Sequence, residues 1–276
     1  MVSRKIGFIG VGNMGQALLR AFIDSKEVEP QDIFITSRTE GRLNKVTQEF
    51  GVRPVKTNEE LVELVDVVIV AVKPQDLYEC LEPIASFFHE GHTVISLAAG
   101  ISIESLQSLL PETKRIMRVM PNVAAKVQES VVSYACTGAV VPQLNYLESL
   151  LGSLGKVVPV EDGEQFESLM IAASSGVGFI FEIMSYWQEW LEERGIEPEV
   201  AADITRQTLK GAVALSESTP KTAFSELQKR VTSAKGVTAA GLESMRELEV
   251  ERALRVSFEK AAIRDRELGQ TWQKSN

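Results

Sequence analysis

Gly10-Val11-Gly12-Asn13-Met14-Gly15 follows an apolar run that ends at Ile9 and opens a stretch whose apolar residues recur at helical spacing. A GxGxxG between strand and helix suits a dinucleotide: the first glycine permits a tight turn, the second lets the backbone approach a pyrophosphate, and the third lets helix and strand pack closely. The helix start then offers amide donors and a positive dipole end to the phosphates. A glycine-rich turn in another α/β fold is the plain alternative.

The second strand ends Ile35-Thr36-Ser37-Arg38. A coenzyme with a free ribose 2′-OH usually meets Asp or Glu at this position. Ser37 and Arg38 present a hydroxyl and a guanidinium instead, with Arg42 and Lys45 further along the next helix, a set that accommodates a 2′-phosphate. NADPH is therefore expected, with NADH the less favoured alternative.

These residues need a scaffold of parallel strands and crossover helices, and the first half of the chain alternates short β-branched runs with helix-period stretches. Strands are predicted at residues 5–9, 32–36, 67–72, 93–96, 115–120, 131–134 and 156–160. Asn58, followed by Glu59 and Glu60, reads as a helix N-cap, and Pro142 as the first turn of a helix ending at Gly152. After Asp162-Gly163 an apolar stripe from Phe166 through Met170, Val177, Phe181 and Trp187 to Leu191 predicts helix, and further helices are expected from Pro198, Thr238 and Val250. The expected fold class is α/β: a Rossmann-type dinucleotide-binding domain over residues 1–162, then an all-helical dimerisation and substrate domain over 163–276. Gly176 and Gly178 within the stripe allow two accounts, close approach of another group or a helix break.

Composition narrows the function. The chain has 276 residues, 44% hydrophobic and 24% charged, and a formal net charge of −9, which argues against nucleic acid or an anionic membrane as partner. Cys80 and Cys136 lie outside any CxxC spacing, so no zinc site is expected, and a reducing, cytoplasmic location is. The glycines interrupt what would be a signal-peptide core, and no uninterrupted apolar run reaches membrane-spanning length. His89 and His92 flank Gly91 in a predicted loop and read as surface histidines rather than metal ligands. No GxSxG, HExxH or P-loop occurs.

Taken together, several motifs resemble the pyrroline-5-carboxylate reductase family. They are Ile6 through Gly15, Ala71-Val72-Lys73-Pro74-Gln75, Ser96-Leu97-Ala98-Ala99-Gly100, Met120-Pro121-Asn122, Val231-Thr232-Ser233 through Thr238, and Arg264-Asp265-Arg266-Glu267-Leu268. The resemblance implies NADPH-dependent reduction of the cyclic imine 1-pyrroline-5-carboxylate to L-proline, the last step of proline biosynthesis, in a homodimer built through C-terminal helices, with higher assembly left open. It implies coenzyme contacts at Gly10, Gly12, Asn13, Met14, Gly15, Ser37, Arg38, Asn58, Ala71 to Gln75, and Ala98, Ala99 and Gly100. It implies substrate contacts at Asn122, Ser233, Lys235, Gly236, Val237 and Thr238, where Thr238 hydrogen-bonds the imine nitrogen. For Asn58 and Thr238 a helix-capping role is the structural alternative.

The departures lie on the substrate side. Ser233-Ala234-Lys235-Gly236-Val237-Thr238 stands where the family carries Ser-Pro-Gly-Gly-Thr-Thr, and Ala173 to Phe179 lacks the family's Pro and Tyr. The alternative is therefore a divergent paralogue that binds NADPH but reduces another imine or serves as a regulatory NADP-binding protein. Lys235 could pair with a substrate anion or point to solvent. A β-hydroxyacid dehydrogenase would need a lysine on the first helix of the second half, and residues 164–195 contain none.

Overall fold

A computed structural model describes residues 4–274 of the protein. The strands are β1 (Ile6–Ile9), β2 (Ile33–Thr36), β3 (Arg53–Pro54), β4 (Val67–Val70), β5 (Thr93–Ser96), β6 (Arg115–Met120), β7 (Ser130–Cys136) and β8 (Gly155–Pro159). The first six α-helices are α1 (Asn13–Asp24), α2 (Glu40–Phe50), α3 (Asn58–Leu64), α4 (Leu77–Leu81), α5 (Ile103–Leu109) and α6 (Leu144–Gly152). The other six are α7 (Glu164–Met170), α8 (Gly176–Glu192), α9 (Pro198–Glu217), α10 (Phe224–Arg230), α11 (Val237–Glu247) and α12 (Val250–Lys274).

The strands form one eight-stranded sheet in the order β3-β2-β1-β4-β5-β6-β7-β8. Helices cover both faces, which is why β1, β2, β4 and β5 are buried at every position and read as apolar runs rather than alternating ones. The chain passes from β1 to β2 on one side and later to β4 on the other, so β1 is the topological switch point. Ile9 is in register with Thr36 and Val70, and Val70 with Ser96, which lines up the carboxyl ends where the predicted coenzyme residues follow.

Two expectations about the sheet change. The two-residue strand β3 has no predicted counterpart, since Arg53 and Pro54 are exposed and show no β pattern. The pairing of β6 with β7 is antiparallel, because only a short 3-10 turn (Val123–Val127) joins them and no crossover fits. Pro142 lies inside a 3-10 turn (Gly138–Gln143) that precedes α6 rather than in the helix itself. His92 is buried at 3% exposure, correcting its placement at the surface, whereas His89 is exposed.

The described residues form two compact units, 4–175 with 261–274, and Gly176–Lys260. The division expected at residue 162 falls where the strands end, while the compact units part at Ser175 and Gly176. Between α7 and α8 the helix widens into a π turn, Ile171–Ser175, and Gly176 opens α8 without a break. A Cβ on Gly178 would meet nothing within 4 Å.

The stripe predicted from Phe166 divides the same way. Phe166 and Met170 are buried in the first unit, whereas α8 buries no residue and leaves Phe181, Trp187 and Trp190 exposed. Within the second unit Phe179 packs on Phe258 with ring centroids 5.5 Å apart. Residues 164–192 form one helical stretch long and apolar enough to cross a membrane by length and composition, although no uninterrupted apolar run in it reaches that length.

Candidate coenzyme and substrate sites

The glycines after β1 have separable causes. Gly10 takes φ +90°, donates its amide to the Thr36 carbonyl at 3.2 Å, and would set a Cβ 2.9 Å from Val72 Cγ1. A Cβ on Gly15 would stand 2.9 Å from the Gly10 carbonyl oxygen, so close packing of α1 on the turn excludes it. A Cβ on Gly12 would meet no atom within 4 Å. Gly12 is the N-cap of α1 in extended conformation, no side chain caps the helix, and no acid lies in its first turn. Gln16 pins the turn through Nε2 to the Val11 carbonyl at 2.8 Å. The amides of Asn13, Met14 and Gly15 thus start an uncapped twelve-residue helix, a cradle that fits a pyrophosphate.

Beside it, β2 delivers the groups expected at an adenosine ribose. Thr57 rather than Asn58 caps α3, its hydroxyl accepting from the Glu60 amide at 3.2 Å. Asn58 is the first helical residue, and its side chain is oriented by other groups. Thr36 Oγ1 donates to Asn58 Oδ1 at 2.7 Å, and Asn58 Nδ2 donates to Cys80 Sγ at 3.4 Å. Ser37 Oγ accepts from the Thr39 amide at 3.4 Å. Arg38 is 84% exposed, and its guanidinium lies 3.5 Å from the carboxylate of Asp76. Burial pushes the Cys80 thiol pKa up, against the Asn58 hydrogen bond; Asp76 and Glu59 raise it and Arg38 lowers it. Thr36, Asp76 and Cys80 are not predicted from the sequence, because strand pairing and the turn after Pro74 bring them here.

The loops expected to line the coenzyme leave neighbouring strands. Ala71 donates its amide to Ile9 O at 2.9 Å, and Lys73 is extended before a 3-10 turn (Pro74–Asp76). Ala98 is buried and donates its amide to Ser96 Oγ at 3.3 Å. Gly100 takes φ +73°, and a Cβ there would stand 2.9 Å from the Gly269 amide and 3.0 Å from the Asp265 carbonyl oxygen on α12.

Asp265 on α12 also feels a charged group that the sequence did not flag. Arg118 on β6 is buried, pairs with Asp162, and stacks its guanidinium 4.1 Å from the Phe166 ring centroid. The other oxygen of Asp162 accepts from the Ile103 amide at 2.9 Å, at the start of α5. Burial raises the Asp265 pKa, opposed first by Arg118, and Arg266 reaches Glu167 at 3.0 Å.

Asn122 is buried at the end of β6 and engages both ends of its amide. Oδ1 accepts from the Ala124 amide at 2.9 Å and Nδ2 donates to Ala173 O in the π turn at 3.0 Å. Ser130 has a structural use, since its hydroxyl accepts from the Asn122 amide at 2.9 Å. Each end of the Asn122 amide thus has a backbone partner, which ties the segment after β6 to the π turn.

The second unit carries the remaining predicted residues. The Gly236 amide donates to Ser233 O at 3.0 Å, and a Cβ on Gly236 would stand 2.1 Å from Ser233 Oγ. Gly236 is the N-cap of α11, which has no side-chain cap and no acid in its first turn. This removes the capping alternative for Thr238, the second residue of that helix, whose side chain is exposed. Lys235 takes φ +59°, a left-handed conformation that glycine adopts more easily, and Val237 is 94% exposed. Among the described residues no group of three or more His, Cys, Asp or Glu could hold a metal.

Comparisons with known proteins divide the chain along similar lines. Residues 5–100 match the family described as NADP oxidoreductase, coenzyme F420-dependent, and residues 163–268 match pyrroline-5-carboxylate reductase dimerisation. The chain is 32% identical over 274 residues to a pyrroline-5-carboxylate reductase of Methanosarcina acetivorans, covering 98% of this chain and 99% of that protein. It is 28% identical to pyrroline-5-carboxylate reductase 2 of Bacillus subtilis, covering 96% and 95%. A solved pyrroline-5-carboxylate reductase from Coxiella burnetii aligns with TM-score 0.87 at 29% identity, covering 96% and 98%. A Plasmodium falciparum pyrroline carboxylate reductase with NADP bound shares the fold at TM-score 0.88 and 22% identity, covering 98% and 99%.

Proposed function

The chain belongs to the pyrroline-5-carboxylate reductase family, and on that premise we propose that it reduces the cyclic imine 1-pyrroline-5-carboxylate to L-proline with NADPH, the closing step of proline biosynthesis. Gly12 carries the coenzyme part of this reading: no protein neighbour requires its missing side chain, and it opens an uncapped helix start. An incoming pyrophosphate accounts for both features. When bound, the coenzyme supplies the hydride that the imine carbon receives.

The residues of the chain bind and orient. The first turn of α1 holds the pyrophosphate, Ser37 and Arg38 receive the 2′-phosphate, and Asn58 meets the adenosine ribose with its amide set by Thr36. Ala71 to Gln75 and Ala98 to Gly100 position the nicotinamide end from the carboxyl ends of β4 and β5. The amides that begin α11, from Gly236 onward, take the substrate carboxylate, an anion on a helix N-terminus, and the Thr238 hydroxyl donates to the imine nitrogen. Holding the reacting atoms in place is the protein's share of the acceleration.

The assembly proposed is a homodimer through the C-terminal helices. Its support is that α8 buries none of its residues, so Phe181, Trp187 and Trp190 need a second copy to leave water. This assigns the exposed apolar residues of α8 to a protein partner rather than to lipid, and nucleic acid has no place in the reading. Free Cys80 and Cys136 accord with a reducing cytoplasm.

A second reading rests on Lys235 and Val237, which replace a glycine and a hydroxyl of the family's loop: the same machinery serves a different imino acid, or only binds the nucleotide. Steady-state kinetics with NADPH and 1-pyrroline-5-carboxylate separates the two. Turnover that collapses in Thr238→Val supports the first reading, and tight NADPH binding without turnover selects the second. Sedimentation of the pure protein tests the assembly, which a monomer at micromolar concentration would exclude.

A further inference from the structure

Among the described residues, Asp76 is the acid that pairs with Arg38, the group expected to take the 2′-phosphate, and it comes from a separate turn. Its carboxylate lies 3.5 Å from Arg38 Nη1. It closes the 3-10 turn Pro74–Asp76 in helical conformation, directly before α4, and its side chain makes no capping hydrogen bond. The ion pair adds little to folding, because Arg38 is 84% exposed and Asp76 is 33% exposed. A carboxylate placed against so exposed a guanidinium has its main consequence for whatever else approaches Arg38. Glu59 adds to the same neighbourhood, since the Cys80 thiol feels Asp76 and Glu59 as negative and Arg38 as positive.

From this juxtaposition we propose that Asp76 sets the coenzyme discrimination of this chain: it opposes the 2′-phosphate of NADPH by charge and by competing for Arg38, and it accepts a hydrogen bond from the ribose 2′-OH of NADH. The usual acid at the end of β2 is absent here, and Asp76 supplies the same chemistry from the turn that follows β4. Ser37 and Arg38 favour one coenzyme while Asp76 moderates that preference, so the chain accepts both. The inference rests on the coenzyme site proposed above and names what tunes it.

The test is equilibrium titration of the full-length protein with NADPH and with NADH, followed by nicotinamide fluorescence at low salt, for the unsubstituted chain and for Asp76→Asn. Removing the charge should tighten NADPH by up to about five-fold, the range of a partly exposed charge pair, and weaken NADH by a similar factor as a charged hydrogen bond becomes a neutral one. The ratio of the two constants is the readout, because a merely structural role for Asp76 would move both together. An unchanged ratio, with the unsubstituted chain binding both coenzymes, overturns the role of Asp76 and leaves the coenzyme site standing. Failure of the unsubstituted chain to bind either coenzyme overturns both.

Discussion

Thr36 Oγ1 donates to Asn58 Oδ1 at 2.7 Å, so the last residue of β2 sets the orientation of the first side chain of α3. Thr36 is buried, and Thr36→Val keeps its shape while leaving Asn58 Oδ1 without that donor. The expected cost is about 1 kcal/mol, or a melting temperature lower by about 2–4 °C, together with a few-fold weaker coenzyme binding. Scanning fluorimetry and NADPH titration check the two effects. Unchanged affinity would remove Asn58 from the adenosine contact.

Gly12 and Gly15 should respond oppositely to the same added methyl. Gly12 has ordinary φ of −70° and open space at its Cβ position, so Gly12→Ala should leave the melting temperature unchanged. It should weaken NADPH roughly tenfold to a hundredfold, the effect of about 1–3 kcal/mol of crowding against the pyrophosphate. Gly15→Ala forces a contact with the Gly10 carbonyl and should lower stability before any ligand is added. Thermal melts with and without NADPH distinguish these outcomes.

Gly269 offers a test in which two effects differ in sign. Inside an exposed helix, alanine would stabilise by about 1 kcal/mol over glycine. Here the new Cβ would stand 2.5 Å from the Gly100 carbonyl oxygen, backbone that cannot swing aside. Overpacking of about 1–3 kcal/mol should win, so Gly269→Ala melts at lower temperature and binds coenzyme less well through the displaced Ala98–Gly100 loop. A higher melting temperature would show that α12 can shift.

His92 predicts the response to acid. Its Nδ1 accepts from the His89 amide at 3.2 Å and its Nε2 donates to Val62 O at 3.1 Å, so the buried ring is used in its neutral form. Burial, then the charge of His89, lowers its pKa from the ordinary 6.5. A histidine depressed in the folded state contributes stability that is complete above 6.5 and lost as pH falls through its folded value. The protein should therefore lose melting temperature between pH 7 and pH 5, and His92→Gln should lose less over that interval. Parallel curves for the two proteins would assign the acid response elsewhere.

What could be read from the residues alone were demands confined to a few neighbours. The glycines after Ile9, the apolar run of β4 and the proline that opens α9 each declare their structure locally, and all appear where expected. The misses need partners distant in the chain. Arg118 meets Asp162 only because β6 ends beside the start of the helical half. Asp76 meets Arg38 through a turn between separate crossovers. Thr57 took the cap predicted for Asn58 because either residue can cap, and only the turn geometry chooses. The exposed face of α8 read as an apolar stripe suited to a core or to a dimer interface, since periodicity says that a face is apolar and not what covers it.

The chain leaves its first compact unit at Ser175 and rejoins it at Ala261. Residues 176–260 are thus an insert anchored at both ends, not a trailing arm. A protease nick inside the insert would yield two fragments that copurify, because the terminal piece stays docked through Gly269 and Arg266. Trimming the same piece from the far end would instead take the buttress away from the Ala98–Gly100 loop while leaving every glycine that follows β1 in place.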